Sequence, residues 1–176
     1  MNRSRKIVLF IAISIDGYIA RPDGDISWLD DVQGEGDNGY SEFIQSVDTV
    51  VMGKKTYDDV LKLTNNQYPY EGKTSYIFTR KETSTNLNLV FTNENPAAFA
   101  EKLKSEEGSD IWLVGGADLL DSFMKEKLVD EYIITTAPII LGDGIPLFKA
   151  NNPEIKLNQK STRQYGEFVQ YHYVHA

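Results

Sequence analysis

Apolar positions in this chain come in two patterns, and the patterns alternate. Ile7–Ile15 is a nearly unbroken apolar run, as expected of a strand covered on both faces. Thr49–Met52, Ser75–Thr79, Leu89–Phe91, Ile111–Val114 and Glu131–Thr136 read as further short strands. Between them, Tyr40–Ser46, Thr56–Leu63, Pro96–Lys104 and Leu119–Met124 read as helices with an apolar face. Ala20–Asn38 is rich in Gly and Asp and is expected to be a long loop holding Trp28 and Leu29. Ile139–Phe148 carries a Gly142-Asp143-Gly144 turn. Ile155–Ser161 and Phe168–Val174, on either side of Tyr165-Gly166-Glu167, are expected to form an antiparallel hairpin. No repeat, low-complexity tract or linker interrupts the pattern. It predicts one α/β domain over residues 1–176, a mostly parallel central sheet flanked by helices with an antiparallel C-terminal hairpin. In such sheets ligands bind at the C-terminal ends of the strands.

Three of those ends carry candidate chemistry. Ile111–Val114 stops at Gly115-Gly116, and an amphipathic run follows at once. A strand, a glycine turn and a helix N-terminus present free N–H groups and the positive end of a helix dipole, which suits a phosphate. Adjacent glycines also let the main chain approach a ligand closely. Such a turn occurs too in α/β domains that bind nothing there, so Gly115-Gly116 alone leaves both readings open. Val51–Tyr57 repeats the design: Gly53 ends a strand, Lys54 and Lys55 sit at the turn, and Thr56 can cap or begin a helix. A third strand ends in Thr79, Arg80 and Lys81, where Arg80 suits bidentate phosphate contact. Three such ends along one sheet edge fit a dinucleotide with an extra ribose phosphate.

Composition narrows the field. The net charge of −8 argues against a general nucleic-acid binder. The absence of cysteine excludes disulfides, thiolate metal sites and cysteine nucleophiles. The two histidines, His172 and His175, alternate with Tyr171 and Tyr173 as on one face of a final strand, so a zinc site is not expected. No apolar run reaches the length of a membrane span. The basic Met1–Lys6 ahead of Ile7–Ile15 superficially mimics a secretion signal, but Asp16-Gly17 ends the run without a small-residue cleavage site. A cytoplasmic location is therefore the expectation.

The ordered set Ile11–Ala20, Met52–Tyr57, Ile77–Arg80, Trp112–Ala117 and Ile140–Phe148 resembles the dihydrofolate reductase superfamily. More closely, it is similar to the reductase domain of bacterial riboflavin biosynthesis and its stand-alone relatives. The Ser-x-Asp-Gly-Tyr-Ile-Ala start and the Leu-Gly-x-Gly-x-Pro-Leu-Phe end belong to that branch. The match runs from about Lys6 to Tyr173. The resemblance implies a dihydrofolate reductase-like three-layer fold, NADPH as cofactor and a homodimer. By motif position, Gly53, Lys54, Lys55 and Thr56 hold the phosphates, and Thr79 and Arg80 meet the adenosine ribose and its 2′-phosphate. Gly115, Gly116, Ala117 and Leu119 line the pyrophosphate, with the Gly115–Gly116 bond cis. Ala12 and Ile19 flank the nicotinamide beneath a mobile loop containing Trp28 and Leu29.

On the substrate side the resemblance implies a small heterocyclic or ribosylamino-pyrimidine-like molecule. Asp16 and Ser14 match residues near that site, although Asp16-Gly17 is also a good turn and Ser14 can satisfy a backbone group. The acid of the folate enzymes falls on Asp37 in an ungapped count, with Glu42 or a solvated loop aspartate as alternatives. Their pterin-contacting threonine falls on Ile134, which disfavours folate. The zinc deaminase activity that accompanies the riboflavin-pathway reductase is excluded by the lack of cysteine. Two further readings stay open: a catalytically weak nucleotide-binding module or sensor, and a flavin or nucleotide binder that uses the same glycine turns.

Overall fold

Val8 and Leu9 are neighbours in the chain, yet they belong to different cores. That is the consequence of a two-residue period in a strand covered on both sides. The strand is β1 (Ile7–Ser14), and it lies near the middle of a nine-stranded sheet. The computed structural model describes residues 4–81, 84–86 and 88–176.

In chain order the other elements are β2 (Tyr18–Ala20), α1 (Tyr40–Gln45), β3 (Val47–Gly53), α2 (Lys54–Leu63), β4 (Thr74–Phe78) and β5 (Ser84–Asn86). Then come β6 (Leu89–Thr92), α3 (Pro96–Ser105), β7 (Asp110–Gly115), α4 (Ala117–Lys125), β8 (Glu131–Ala137), β9 (Ile145–Pro146), β10 (Leu157–Tyr165) and β11 (Phe168–His175). The strand order is β10-β11-β8-β1-β7-β3-β4-β6-β5. From β8 to β6 all neighbours are parallel, whereas β11, β10 and β5 run antiparallel at the two margins. This is the expected mostly parallel sheet with a C-terminal hairpin.

Helices cover both faces. On one side Phe99, Leu103, Leu120 and Phe123 of α3 and α4 pack on Ile7, Leu9, Val51, Ile111 and Leu113. On the other, Phe43 of α1 packs with Val8, Val50, Met52, Ile77, Tyr70 and Trp112. There Phe10 stacks on Phe43 at 4.1 Å, and Tyr68 and Tyr70 continue the ring contacts toward Trp112. Tyr68-Pro69-Tyr70 thus belongs largely to the core beside α2. A third cluster joins Trp28, Val32, Ala137 and Phe168.

Three details differ from the sequence reading. The Ala20–Asn38 segment contains a 3-10 helix, Ser27–Asp31, and Trp28 within it is 1% exposed. That residue anchors the loop into the third core. Next, α2 begins at Lys54 with Gly53 as its N-cap, so Thr56 lies inside the first turn. Lys54 and Lys55 are good helix formers and reach Asp58 and Asp59 one turn on, which favours the earlier start. Finally, His172 and His175 face opposite ways: His172 meets Glu131, and His175 meets the carbonyl of Val129. Their separation by an odd number of residues places them on opposite faces.

Candidate functional site

Strands β7, β3 and β4 are neighbours, run parallel and end together: Met52 is in register with Gly115, and Gly53 with Phe78. The three ends singled out by their glycines and cations therefore line one stretch of the sheet's C-terminal edge. Helices α2 and α4 both start there, with Gly53 and Gly116 as N-caps and no side chain capping either. Contrast α3, where Asn95 accepts hydrogen bonds from the N–H groups of Ala97 and Ala98 at 2.9 and 3.2 Å. Residues that lack a capping side chain leave the first-turn N–H groups open to another acceptor.

The two uncapped starts converge. A Cβ on Gly53 would lie 3.9 Å from the amide nitrogen of Gly116, and one on Gly116 would lie 3.0 Å from Thr56 Oγ1. The Gly115–Gly116 peptide is cis, and Gly115 has φ of 127°, a conformation that suits only glycine. Lys54 and Lys55 sit in the first turn of α2, the end of a helix dipole that disfavours cations. Their ammonium groups rest on Asp58 at 2.5 Å and Asp59 at 2.8 Å. Lys55 also approaches the loop after β2, where a Cβ on Gly24 would be 3.5 Å from its Nζ. At the end of β4 the Thr79 N–H donates to the Thr92 carbonyl at 2.9 Å, and Thr79 Oγ1 accepts from the Lys81 N–H at 3.2 Å. Arg80 is exposed and has no ion-pair partner among the described residues. Open N–H groups, a Cβ-free gap and nearby cations are features that suit an anionic group.

Beyond the glycine turns the edge continues to β1 and β8, and loops are sewn together above them. β2 pairs with β9, Ile15 N–H donates to the Ile139 carbonyl at 2.8 Å, and Leu147 N–H donates to that of Gly17 at 2.9 Å. Asp16 clasps the same two loops. It accepts from Ser14 Oγ at 2.6 Å, Leu141 N–H at 3.1 Å and Gly142 N–H at 2.8 Å. The Ser14 hydroxyl, helped by the Gly142 and Leu141 N–H groups against some desolvation, holds the Asp16 carboxyl below the ordinary carboxylate range. Buried Ser14 completes the clasp by accepting from Tyr18 N–H at 3.0 Å.

Asp37 lies at the start of α1. It accepts from Gly39 N–H at 3.1 Å and Ser41 N–H at 2.8 Å, and its contacts with Ser41, then Gly39, lower its pKa. It lines a shallow surface hollow with Glu35, Glu42 and Arg163, in which Arg163 binds Glu42 at 2.5 Å. Both carboxylates are thus fitted to stay ionised as acceptors.

The register corrects one inference about the substrate side. Ile134 pairs with Ile11 and packs with the α3–α4 core, away from α1. The threonine facing α1 is Thr135, paired with Ala12. Gln170 of β11 donates to Thr135 Oγ1 at 3.0 Å and reaches the Asn38 carbonyl at 3.5 Å. A one-residue shift along a strand turns a side chain to the other face. The residue type at Ile134 therefore says nothing about the cleft, and the argument it supplied against folate lapses. Sequence reasoning missed Thr135 and Gln170, although a pair of threonines closing an apolar strand was a visible signal.

Ala12 on β1 pairs with Thr135, Ile19 on β2 packs against the α3–α4 core, and Ala117 and Leu119 lie in the first turn of α4. Among the described residues no group of three or more His, Asp or Glu side chains is arranged to hold a metal ion, and no helix is long and apolar enough to cross a membrane.

A parallel sheet with glycine-led helices at one edge and clasped loops beside them defines a reductase-like domain of the dihydrofolate reductase-like fold. More narrowly, the chain belongs to the RibD C-terminal domain family, which it matches over residues 5–171. Uncharacterized protein YwjB of Bacillus subtilis (strain 168) is 53% identical over 173 residues, spanning 98% of this chain and 99% of that one. Uncharacterized protein YyaP of the same organism is 31% identical over 177 residues, spanning 95% of this chain and 93% of that one. A Shewanella sp. PV-4 protein provisionally assigned to riboflavin biosynthesis superposes with a TM-score of 0.87 at 28% identity, over 97% of this chain and 99% of that one. The Thermotoga maritima diaminohydroxyphosphoribosylaminopyrimidine deaminase/5-amino-6-(5-phosphoribosylamino)uracil reductase shares the fold, with a TM-score of 0.70 at 16% identity. That match takes in 98% of this chain and 57% of the Thermotoga chain.

Proposed function

We propose that this protein is an NADPH-dependent reductase of a small heterocyclic or ribosylamino-pyrimidine-like substrate, acting in the cytoplasm. The observation that carries the reading is the meeting of two uncapped, glycine-led helices at Gly53 and Gly116, with Arg80 on the adjoining strand end. Gly53, Lys54, Lys55 and Thr56 would hold phosphate on one side, and Gly115, Gly116, Ala117 and Leu119 the pyrophosphate on the other. Thr79 and Arg80 would take the adenosine ribose and its 2′-phosphate. The cofactor supplies a hydride. Ala12 and Ile19 would orient its ring, and the Asp16 clasp would keep water from the loops above it. Thr135 and Gln170, buried and hydrogen-bonded to each other, would brace the strand ends beside Ala12. A homodimer, implied by the resemblance, belongs to the same reading; sedimentation at micromolar concentration should give twice the chain mass, and a monomer would remove it.

The test is a titration with NADPH and with NADH, followed by nicotinamide fluorescence. NADPH should bind far more tightly. Binding of neither dinucleotide overturns the reading.

A second reading, a nucleotide-binding module without turnover, is favoured by one observation. Asp16 and Asp37, the two candidate acids, are both held ionised by hydrogen-bond donors, so neither is set up to deliver a proton. NADPH binding without oxidation across a panel of reducible pyrimidines and pterins would select it. Oxidation of NADPH with any of them would select the reductase.

A further inference from the structure

The first turn of α4 carries a charge that the cradle does not need. Asp118, its second residue, has a side chain 90% exposed, and its carboxylate is held by Lys149 from the segment after β9. An acidic residue in a first turn suits the helix dipole but opposes an incoming phosphate. Phe78 at the end of β4 meets Phe123 of α4 with ring centroids 6.0 Å apart, so the strand end that carries Arg80 lies against this helix, and the charge of Arg80 adds to that of Lys149 in keeping the Asp118 carboxyl ionised. The other cations of the cradle, Lys54 and Lys55, already have Asp58 and Asp59 as partners. Asp118 thus adds a negative charge to the field beside Arg80 and Lys81, and Lys149 offsets it.

We propose that Asp118 and Lys149 form a specificity-determining pair: Lys149 masks a carboxylate that would otherwise reject the 2′-phosphate of a dinucleotide beside Arg80. The inference rests on the nicotinamide-dinucleotide reading above and deepens it. A bare carboxylate at this place favours the hydroxyl of an unphosphorylated ribose, as acidic residues do in other dinucleotide sites. A masked one lets Arg80 act on the phosphate. The pair thus sets the ratio of NADPH to NADH affinity and leaves the shared pyrophosphate contacts alone.

The experiment is a double-mutant cycle on the full chain, with dissociation constants for both dinucleotides read by fluorescence and folding checked by thermal melting. Lys149→Met should weaken NADPH about tenfold and NADH less than about twofold, because it bares Asp118. Asp118→Asn should tighten NADPH a few-fold. Adding Asp118→Asn to Lys149→Met should recover most of the loss, a coupling that a lost surface contact would not give. Raising the salt concentration should shrink every difference. If the parent binds NADPH tightly and all three variants keep its NADPH-to-NADH ratio within about twofold, the pair is an ordinary surface bridge. In that case the proposal falls while the reductase reading stands. If the parent binds neither dinucleotide, both fall together.

Discussion

The two edges of the parallel sheet are built on opposite plans. At the N-terminal edge, charged side chains are locked together. Arg5, 4% exposed, binds Asp48, Thr49 Oγ1 at 2.6 Å and the Ser109 carbonyl at 2.7 Å. Beside it, Glu131 gathers Lys6 and His172, while Asp130 takes Lys104 at 2.7 Å and the Ile7 N–H at 2.8 Å. At the C-terminal edge glycines replace side chains, helix starts go uncapped and the ion pairs are exposed. One edge satisfies itself and the other leaves donors for a ligand. Stability and binding should therefore respond to different mutations.

The sharpest way to break this division is Arg5→Ala. It strips partners from Asp48 and Thr49 at a buried position. With Asp48 half-exposed, the expected cost is about 2–3 kcal/mol of stability. Denaturant unfolding should show the loss, and dinucleotide affinity should be unchanged below the melting range. A large loss of affinity with normal stability would collapse the comparison.

At the other edge Arg80→Ala should reverse that pattern. The loss of a charge-assisted phosphate contact costs about 1.5–3 kcal/mol, so NADPH affinity should fall by roughly tenfold or more while NADH binding and melting hold. Equal binding of the two dinucleotides by the parent would remove Arg80 from its assigned role. Gly53→Ala is milder. Its φ of −75° accepts alanine, and the new Cβ would project toward Gly116. Affinity for both dinucleotides should drop by about tenfold together, since the pyrophosphate is common to them. A selective effect on one of them would mean that the two helix starts do not share that group.

The smallest effect is one of pH. Burial pushes the Glu131 carboxyl up, but hydrogen bonds from Lys6 and His172 and the charge of Lys6 outweigh it and leave it below 4.5. A depressed folded-state pKa adds stability above the unfolded value and loses it as pH falls through the folded one. Melting temperature should therefore hold from neutrality to near pH 4.5, then decline. In Glu131→Gln the starting stability should be lower and that decline shallower. An unchanged acid limb would show that Glu131 does not govern it.

Much of this was legible in the chain because its signals are local. The apolar run of β1, the two glycine-terminated strands and the cationic end of a third each depend on a few consecutive residues, whereas the cis Gly115–Gly116 bond was implied by the family resemblance. β2 and β9 went unread because two or three residues cannot show a period. Thr135 was displaced by Ile134 because a family match fixes position along a strand only to within a residue, and one residue changes the face. The Lys149–Asp118 pair and the Asp16 clasp join segments far apart in sequence, so no local window holds both partners.

The turn of the C-terminal hairpin holds more than its own strands. Glu167 donates its N–H to the Gln33 carbonyl at 2.8 Å, its carboxylate accepts the Gln33 N–H at 2.8 Å, and Phe168 packs with Trp28 in the third core. A Cβ on Gly166 would sit 2.3 Å from that same carbonyl. The loop following β2 is therefore fastened by a hairpin turn 134 residues further along the chain. A nascent chain can assemble β1, β3, β4 and β7 with their glycine turns well before the roof has its anchor. The roof over the strand ends is thus closed by a partner far along the chain, after the edge beneath it can already have formed.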